Sequence, residues 1–157
     1  MSWLEIEKKF LIPELSLDLG NYKYDEIEQW YFVLEEDVEE RVRHRWNKYY
    51  HTKKVWHWEV REEYENEITK EEFEEKWKET EWKRIQKTRY LIPYNNHTIE
   101  LDVYHWVLAW LVTAEIEFDS KEDCDSFVSP EWFGEDVTED TRFKNRNLIF
   151  EKYSDLN

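Results

Sequence analysis

The sequence predicts an α+β fold, mainly β, in a single domain over residues 1–157, with eight strands and a few short helices. Three observations carry that reading. Side-chain type alternates at period two along most of the chain, as in strands whose two faces differ chemically. One segment, KEEFEEKWKETE, has helical spacing instead. Although 38% of residues are charged, aromatic residues make up 18% and supply burial that a disordered chain lacks.

Taken in order, strands are expected at about 3–11, 27–35, 38–46, 48–56 and 58–68. The helix follows, with Thr69 as its cap, Glu72 three residues on in a capping box, and Phe73 and Trp77 on one face. Strands resume at about 83–92, 97–105 and 107–119. A second helix is expected after Ser120 and a third, short one after Ser129 with Pro130 at its first position, while Thr138 caps a further turn. Neither an internal repeat nor a Pro, Gly or Ser linker divides the chain. Acidic clusters such as Glu71, Glu72, Glu74 and Glu75 read as solvated surface.

The formal net charge of −16 argues against a sequence-independent grip on a nucleic-acid backbone and against binding to acidic membranes. The single cysteine, Cys124, cannot form an internal disulfide, and the opening MSWLEIEKKF lacks the regions of a secretory leader. The longest charge-free run, Tyr104 to Ala114, is about half of a bilayer span. A cytoplasmic protein without membrane or nucleic-acid partners is expected.

The strands share an unusual parity. Glu5, Glu7 and Lys9 lie on one face of the first strand, opposite Leu4 and Ile6. Arg41 and Arg43 alternate with apolar neighbours in the third, and Arg61, Glu63 and Glu65 share a face of the fifth. Lys87 and Arg89, then Glu100 and Asp102, then Glu115 and Glu117 repeat the pattern in the last three. For any one strand, the simplest reading is charge in water over an apolar core. Sorting by sign, with like charges at i and i+2 in successive strands, points instead to a sheet closed on itself around a polar lumen. Buried charges need partners, so the ligand is expected to be charged as well. The Arg and Lys clusters, with Lys54, suit a polyanion bearing several phosphoryl groups. Clustered carboxylates suit a hard divalent cation. Together they describe a site for a metal polyphosphate.

Glu5-Ile6-Glu7-Lys8-Lys9 has the form ExExK and resembles the N-terminal signature of the CYTH superfamily, the triphosphate tunnel metalloenzymes. Further segments resemble the family in order: Arg41-Val42-Arg43, Lys54, Arg61 to Glu65, Lys87 to Tyr90, Glu100 to Val103, Glu115 to Phe118, PEWFGEDVTED, and Lys144-Asn145. The nearest likeness is to the short bacterial members that hydrolyse inorganic tripolyphosphate. The resemblance implies a closed eight-stranded antiparallel β-barrel, the triphosphate tunnel, with helices outside it. It implies that Lys9, Arg41, Arg43, Lys54, Lys87 and Arg89, with Arg61 in addition, hold phosphates. It implies that Glu5, Glu7 and Glu117 are the core ligands of Mg²⁺ or Mn²⁺, with Asp102, Glu115, Glu63 and Glu65 holding metal or its waters. Attack of water on a terminal phosphorus would then be assisted by Lys87 and Arg89, with Glu63 or Glu65 accepting the proton.

The chain departs from the family where relatives show glycine, with Trp30, Trp46, His57-Trp58, Trp82, Trp106 and Trp110 in those regions. Ten tryptophans against two glycines predict an engineered, Trp-rich and Gly-poor variant that kept its site. Within the same fold, a thiamine triphosphatase or a class IV type adenylate cyclase is the organic-substrate alternative. A catalytically silent phosphate-binding scaffold, and an acidic protein working through its outer surface, are the non-enzymatic ones. The histidines at 44, 51, 57, 97 and 105 lack the spacing of a zinc site, and Cys124 reads as structural. The sequence is compatible with a monomer or a homodimer.

Overall fold

The computed structural model describes residues 6–34, 36–57, 60–78 and 84–148. It contains β1 (Ile6–Leu11), β2 (Lys23–Leu34), β3 (Val38–Arg45), β4 (Lys48–His57), β5 (Val60–Ile68), β6 (Arg84–Tyr94), β7 (His97–Tyr104) and β8 (Val112–Phe118). Its helices are α1 (Lys70–Trp77), α2 (Lys121–Asp125) and α3 (Asn145–Leu148). Thr69 caps α1 by accepting a hydrogen bond from the Glu72 amide, and Ser120 caps α2 through the amide of Asp123. β2 starts at Lys23, earlier than expected, and β8 starts late because Trp106–Leu108 coils into a 3₁₀ turn. The helix expected after Ser129 is only a turn, closed by the Phe133 amide on the Pro130 carbonyl.

The strands form one antiparallel sheet in the order β1-β8-β7-β6-β2-β3-β4-β5. The expected closed barrel does not form. Closure would join β1 to β5, but the outer edge of β1 is already occupied by the chain's own segment 134–138. Leu11 donates to the Glu135 carbonyl, the Gly134 and Val137 amides donate to the carbonyls of Leu11 and Lys9, and Phe10 bridges Asp136. This approach needs a glycine at 134, where a Cβ would lie 2.7 Å from both the Leu11 carbonyl oxygen and Pro13 Cδ. Among the described residues, β5 is paired on one side only, with β4.

The chain divides into two compact units. The first comprises Glu26–Gln86 with 144–148, and the second 6–25 with Lys87–Phe143. In the first, Trp30 and Val42 pack with Phe73 of α1, flanked by Tyr49, Ile68 and Trp77. In the second, Phe10, Ile12, Ile92, Ile99, Leu101, Ala114, Ile116 and Phe118 form the core, with Phe127, Trp132 and Phe133 against it. In each unit, period-two alternation therefore sends the apolar parity to a core and leaves the charged parity on the opposite face.

Two tryptophans stand in the left-handed backbone region. Trp46 has φ 61° and Trp106 φ 60°, and their side chains are 67% and 77% exposed. Trp46 is the first loop residue of the two-residue hairpin between Arg45 and Lys48, a turn that calls for glycine there. A left-handed backbone costs a residue with a Cβ about 1–2 kcal/mol. Trp46→Gly is therefore expected to stabilise the protein by about 1 kcal/mol, read as a higher denaturation midpoint. An unchanged or lower midpoint would count against the strain.

Candidate active site

In the first unit, the charged face is built from β2, β3, β4 and β5 in register. Tyr31 lies opposite Arg41, which lies opposite Thr52 and then Glu65. Lys54 sits between Glu39 on β3 and Glu63 on β5. Arg43 reaches Glu65 at 3.4 Å, Thr52 Oγ1 donates to the same carboxylate at 3.2 Å, and Arg61 lies 3.5 Å from Glu63. Burial lowers the pKa of Lys54, and the neighbouring Arg41 lowers it further, although Glu39 and Glu63 oppose this. Burial would lower that of Arg41 too, but Tyr31 and Glu39 raise it overall. The Nε of Arg41 is buried without a hydrogen-bond partner, leaving a donor to be satisfied.

Sequence reasoning missed Tyr31 and Glu39 as members of this face. Gln29 Nε2 donates to Tyr31 Oη at 2.8 Å, and both side chains are buried. Burial pushes the Tyr31 phenol well above its ordinary pKa, so it is a neutral hydrogen-bonding group beside Arg41. The parity of Gln29 and Tyr31 was the available signal, hidden by the apolar run around them and by the register shift between Tyr31 and Val33.

The second unit carries a tighter network. Lys87 Nζ donates to Asp102 Oδ2 at 2.7 Å, with both side chains 1% exposed. Arg89 donates to both oxygens of Asp102 at 2.7 and 2.9 Å, pairs with Glu100, and reaches Glu115 at 3.5 Å. Lys9 lies 3.9 Å from Glu115. Burial would raise the pKa of Asp102, but Arg89 and Lys87 hold it well below the usual carboxylate range. Burial brings Lys87 down to about 8 despite Asp102. Arg89 is ringed by Glu100, Asp102 and Glu115, the last two expected as metal ligands, so it also serves to hold them in place.

Glu7 and Glu117 are directly opposed in the β1–β8 register, as are Glu100 and Glu115 in β7–β8. Like charges set opposite one another destabilise a sheet, and their hard oxygen donors fit a divalent cation by type. Among the described residues, however, no group of three or more His, Cys, Asp or Glu side chains is already arranged around a metal position. Asp102 and Glu115 are engaged by cations. Glu5 lies outside the described residues.

Each unit thus presents a face of sorted guanidinium and ammonium groups, with opposed carboxylates in the second, the charge pattern of a protein that handles charged ligands. No protein-family profile matches the chain. It is 38% identical over 147 residues to an inorganic triphosphatase of Nitrosomonas europaea, covering 92% of this chain and 95% of that protein. It is 34% identical over 157 residues to an inorganic triphosphatase of Acetivibrio thermocellus, covering 97% of each. A crystal structure of an inorganic triphosphatase superposes with a TM-score of 0.76 at 35% identity, covering 95% of this chain and 96% of that one. The chain belongs to the inorganic triphosphatase family. No helix among the described residues is long and apolar enough to cross a membrane.

Proposed function

We propose that the chain, acting as one domain over 1–157, hydrolyses inorganic tripolyphosphate to diphosphate and phosphate in the cytoplasm, as a monomer or homodimer. The observation that carries this is the sorted charged face in a chain whose relatives over nearly its whole length are inorganic triphosphatases.

Arg41, Arg43, Lys54 and Arg61 in the first unit, with Lys9, Lys87 and Arg89 in the second, bind phosphoryl oxygens. Arg grips bidentately and Lys acts as a point charge. Glu5, Glu7 and Glu117, with Asp102 and Glu115, would hold Mg²⁺ or Mn²⁺, which when bound neutralises phosphate oxygens. Glu63 or Glu65 accepts the proton of the attacking water, and each lies beside an Arg, Arg61 and Arg43 respectively. Lys87 and Arg89 stabilise charge that develops on the leaving phosphate.

Phosphate release should be measured from tripolyphosphate, ATP and thiamine triphosphate in Mg²⁺, Mn²⁺ and EDTA. Metal-dependent release from tripolyphosphate, far above the organic substrates, is expected. Binding without turnover would instead identify a silent scaffold.

Lys87 adds a pH signature. Its pKa of about 8 in the free protein should rise when a polyanion binds, so tripolyphosphate binding near pH 8 should take up protons. Calorimetry in buffers of different ionisation enthalpy reads this directly, and Lys87→Met should abolish the uptake. Equal heats in all buffers would remove Lys87 from the binding face.

A further inference from the structure

The segment that occupies the outer edge of β1 does more than close it, because it meets Lys9 at three points. The Lys9 amide donates to Thr138 Oγ1 at 3.0 Å, and the Lys9 carbonyl accepts from the Val137 amide at 2.8 Å. The ammonium donates to the Phe143 carbonyl at 2.5 Å in a buried contact. Thr138 is itself fixed, since its amide and hydroxyl both donate to Asp136 Oδ1. A hydroxyl that gives its proton to Asp136 presents its lone pairs to Lys9, which sets the hydrogen-bond polarity along the chain Asp136–Thr138–Lys9.

We infer that Thr138, oriented by Asp136, is a positioning residue that sets where the Lys9 ammonium meets the substrate's phosphate. The inference rests on the proposed triphosphatase reading and adds to it a specific residue outside the charged face. β1 alone cannot hold Lys9 in one place, because Glu115 is 3.9 Å away and a Lys side chain has many rotamers. Fixing the backbone at both its amide and its carbonyl removes that freedom at the root, and the Phe143 carbonyl removes it at the tip.

Thr138→Val keeps the shape and deletes the acceptor. Its KM for tripolyphosphate is expected to rise by up to about tenfold, the worth of one hydrogen bond, with kcat changed far less. Thr138→Ser should restore KM. If Thr138→Val does not fold, Asp136→Asn reads the same contact and should raise KM in the same direction. A wild-type protein that turns over tripolyphosphate while these variants keep its KM overturns this inference alone. A wild type without turnover overturns the functional reading instead.

A separate observation, the backbone at Trp46 and Trp106, carries a second inference. Both residues are left-handed and largely exposed, in a chain with ten tryptophans and two glycines. Trp46 fills the hairpin position that selects glycine. We infer that both are glycine positions in the native decoding of the gene. The codon UGA is translated as tryptophan under one variant genetic code and as glycine under another, so one gene yields either residue according to its host. This accounts for the Trp-for-Gly pattern without engineering. UGA codons at 46 and 106, with glycine masses in the matching peptides from the source cells, are the expected result. UGG codons at those positions, or tryptophan masses in the native peptides, overturn the inference.

Discussion

Asp102→Ala is expected to cost about 3–5 kcal/mol of stability, a large share of what holds a domain of this size together. Asp102 is the shared acceptor of Lys87 and Arg89, and the carboxylate and the Lys87 ammonium are buried almost completely. Removing it leaves two cations in a dry site without their counter-charge, which costs more than the pair contributed when intact. Urea unfolding with the wild type alongside measures the loss, and Asp102→Asn, which keeps the shape and one acceptor oxygen, should fall between. An Asp102→Ala protein as stable as wild type would show that water reaches this site. The same pair sets an acid limit. The folded pKa of Asp102 is depressed, so its stabilisation is complete above the ordinary carboxylate pKa of about 4. It is lost progressively as pH falls from there through the depressed folded value.

The second large effect is on turnover, with the fold intact. Glu117 is exposed on its strand between buried Ile116 and Phe118, and Glu117→Ala should leave the melting curve close to that of the wild type. It should nevertheless lower metal-dependent hydrolysis by about a hundredfold, corresponding to about 2.7 kcal/mol of transition-state stabilisation. Glu7→Ala should act in the same direction, since Glu7 faces Glu117 across the register. Full turnover in both variants would place the cation elsewhere. This pair of results separates the two roles a carboxylate can have here. Asp102 holds the protein together through its cations, whereas Glu117 is expected to act on metal-dependent turnover.

The strands and the capped helices were legible in the sequence because they are local. Period-two parity needs only neighbouring residues, and Thr69 with Glu72 writes its cap within four positions. The register that sets Lys54 between Glu39 and Glu63 was not legible, since it depends on turn geometry. Barrel closure failed as an expectation for a related reason. Whether β1 reaches β5 depends on what else competes for its edge, and that competitor lies more than a hundred residues away at 134–138. Of the site, the charged groups were visible because charge on alternate residues is conspicuous. Tyr31 was not, because a buried phenol in an apolar run looks like core until its partner Arg41 is known.

Among the described residues β5 is paired on one side only, which has a consequence for the protein in bulk solution. A strand edge without a neighbour offers a row of amides and carbonyls to any other chain, and β5 carries Glu62, Glu63, Glu65 and Glu67 against one cation, Arg61, along nine residues. At neutral pH that density of like charge repels an approaching copy. Val60 and Tyr64 are half exposed on the same strand, so removing that charge by substitution would leave an adhesive edge on a folded core. Light scattering of a Glu62→Gln, Glu67→Gln double variant should therefore rise above that of the wild type at neutral pH while its melting curve stays the same, which makes these side chains guardians of solubility and not of the fold.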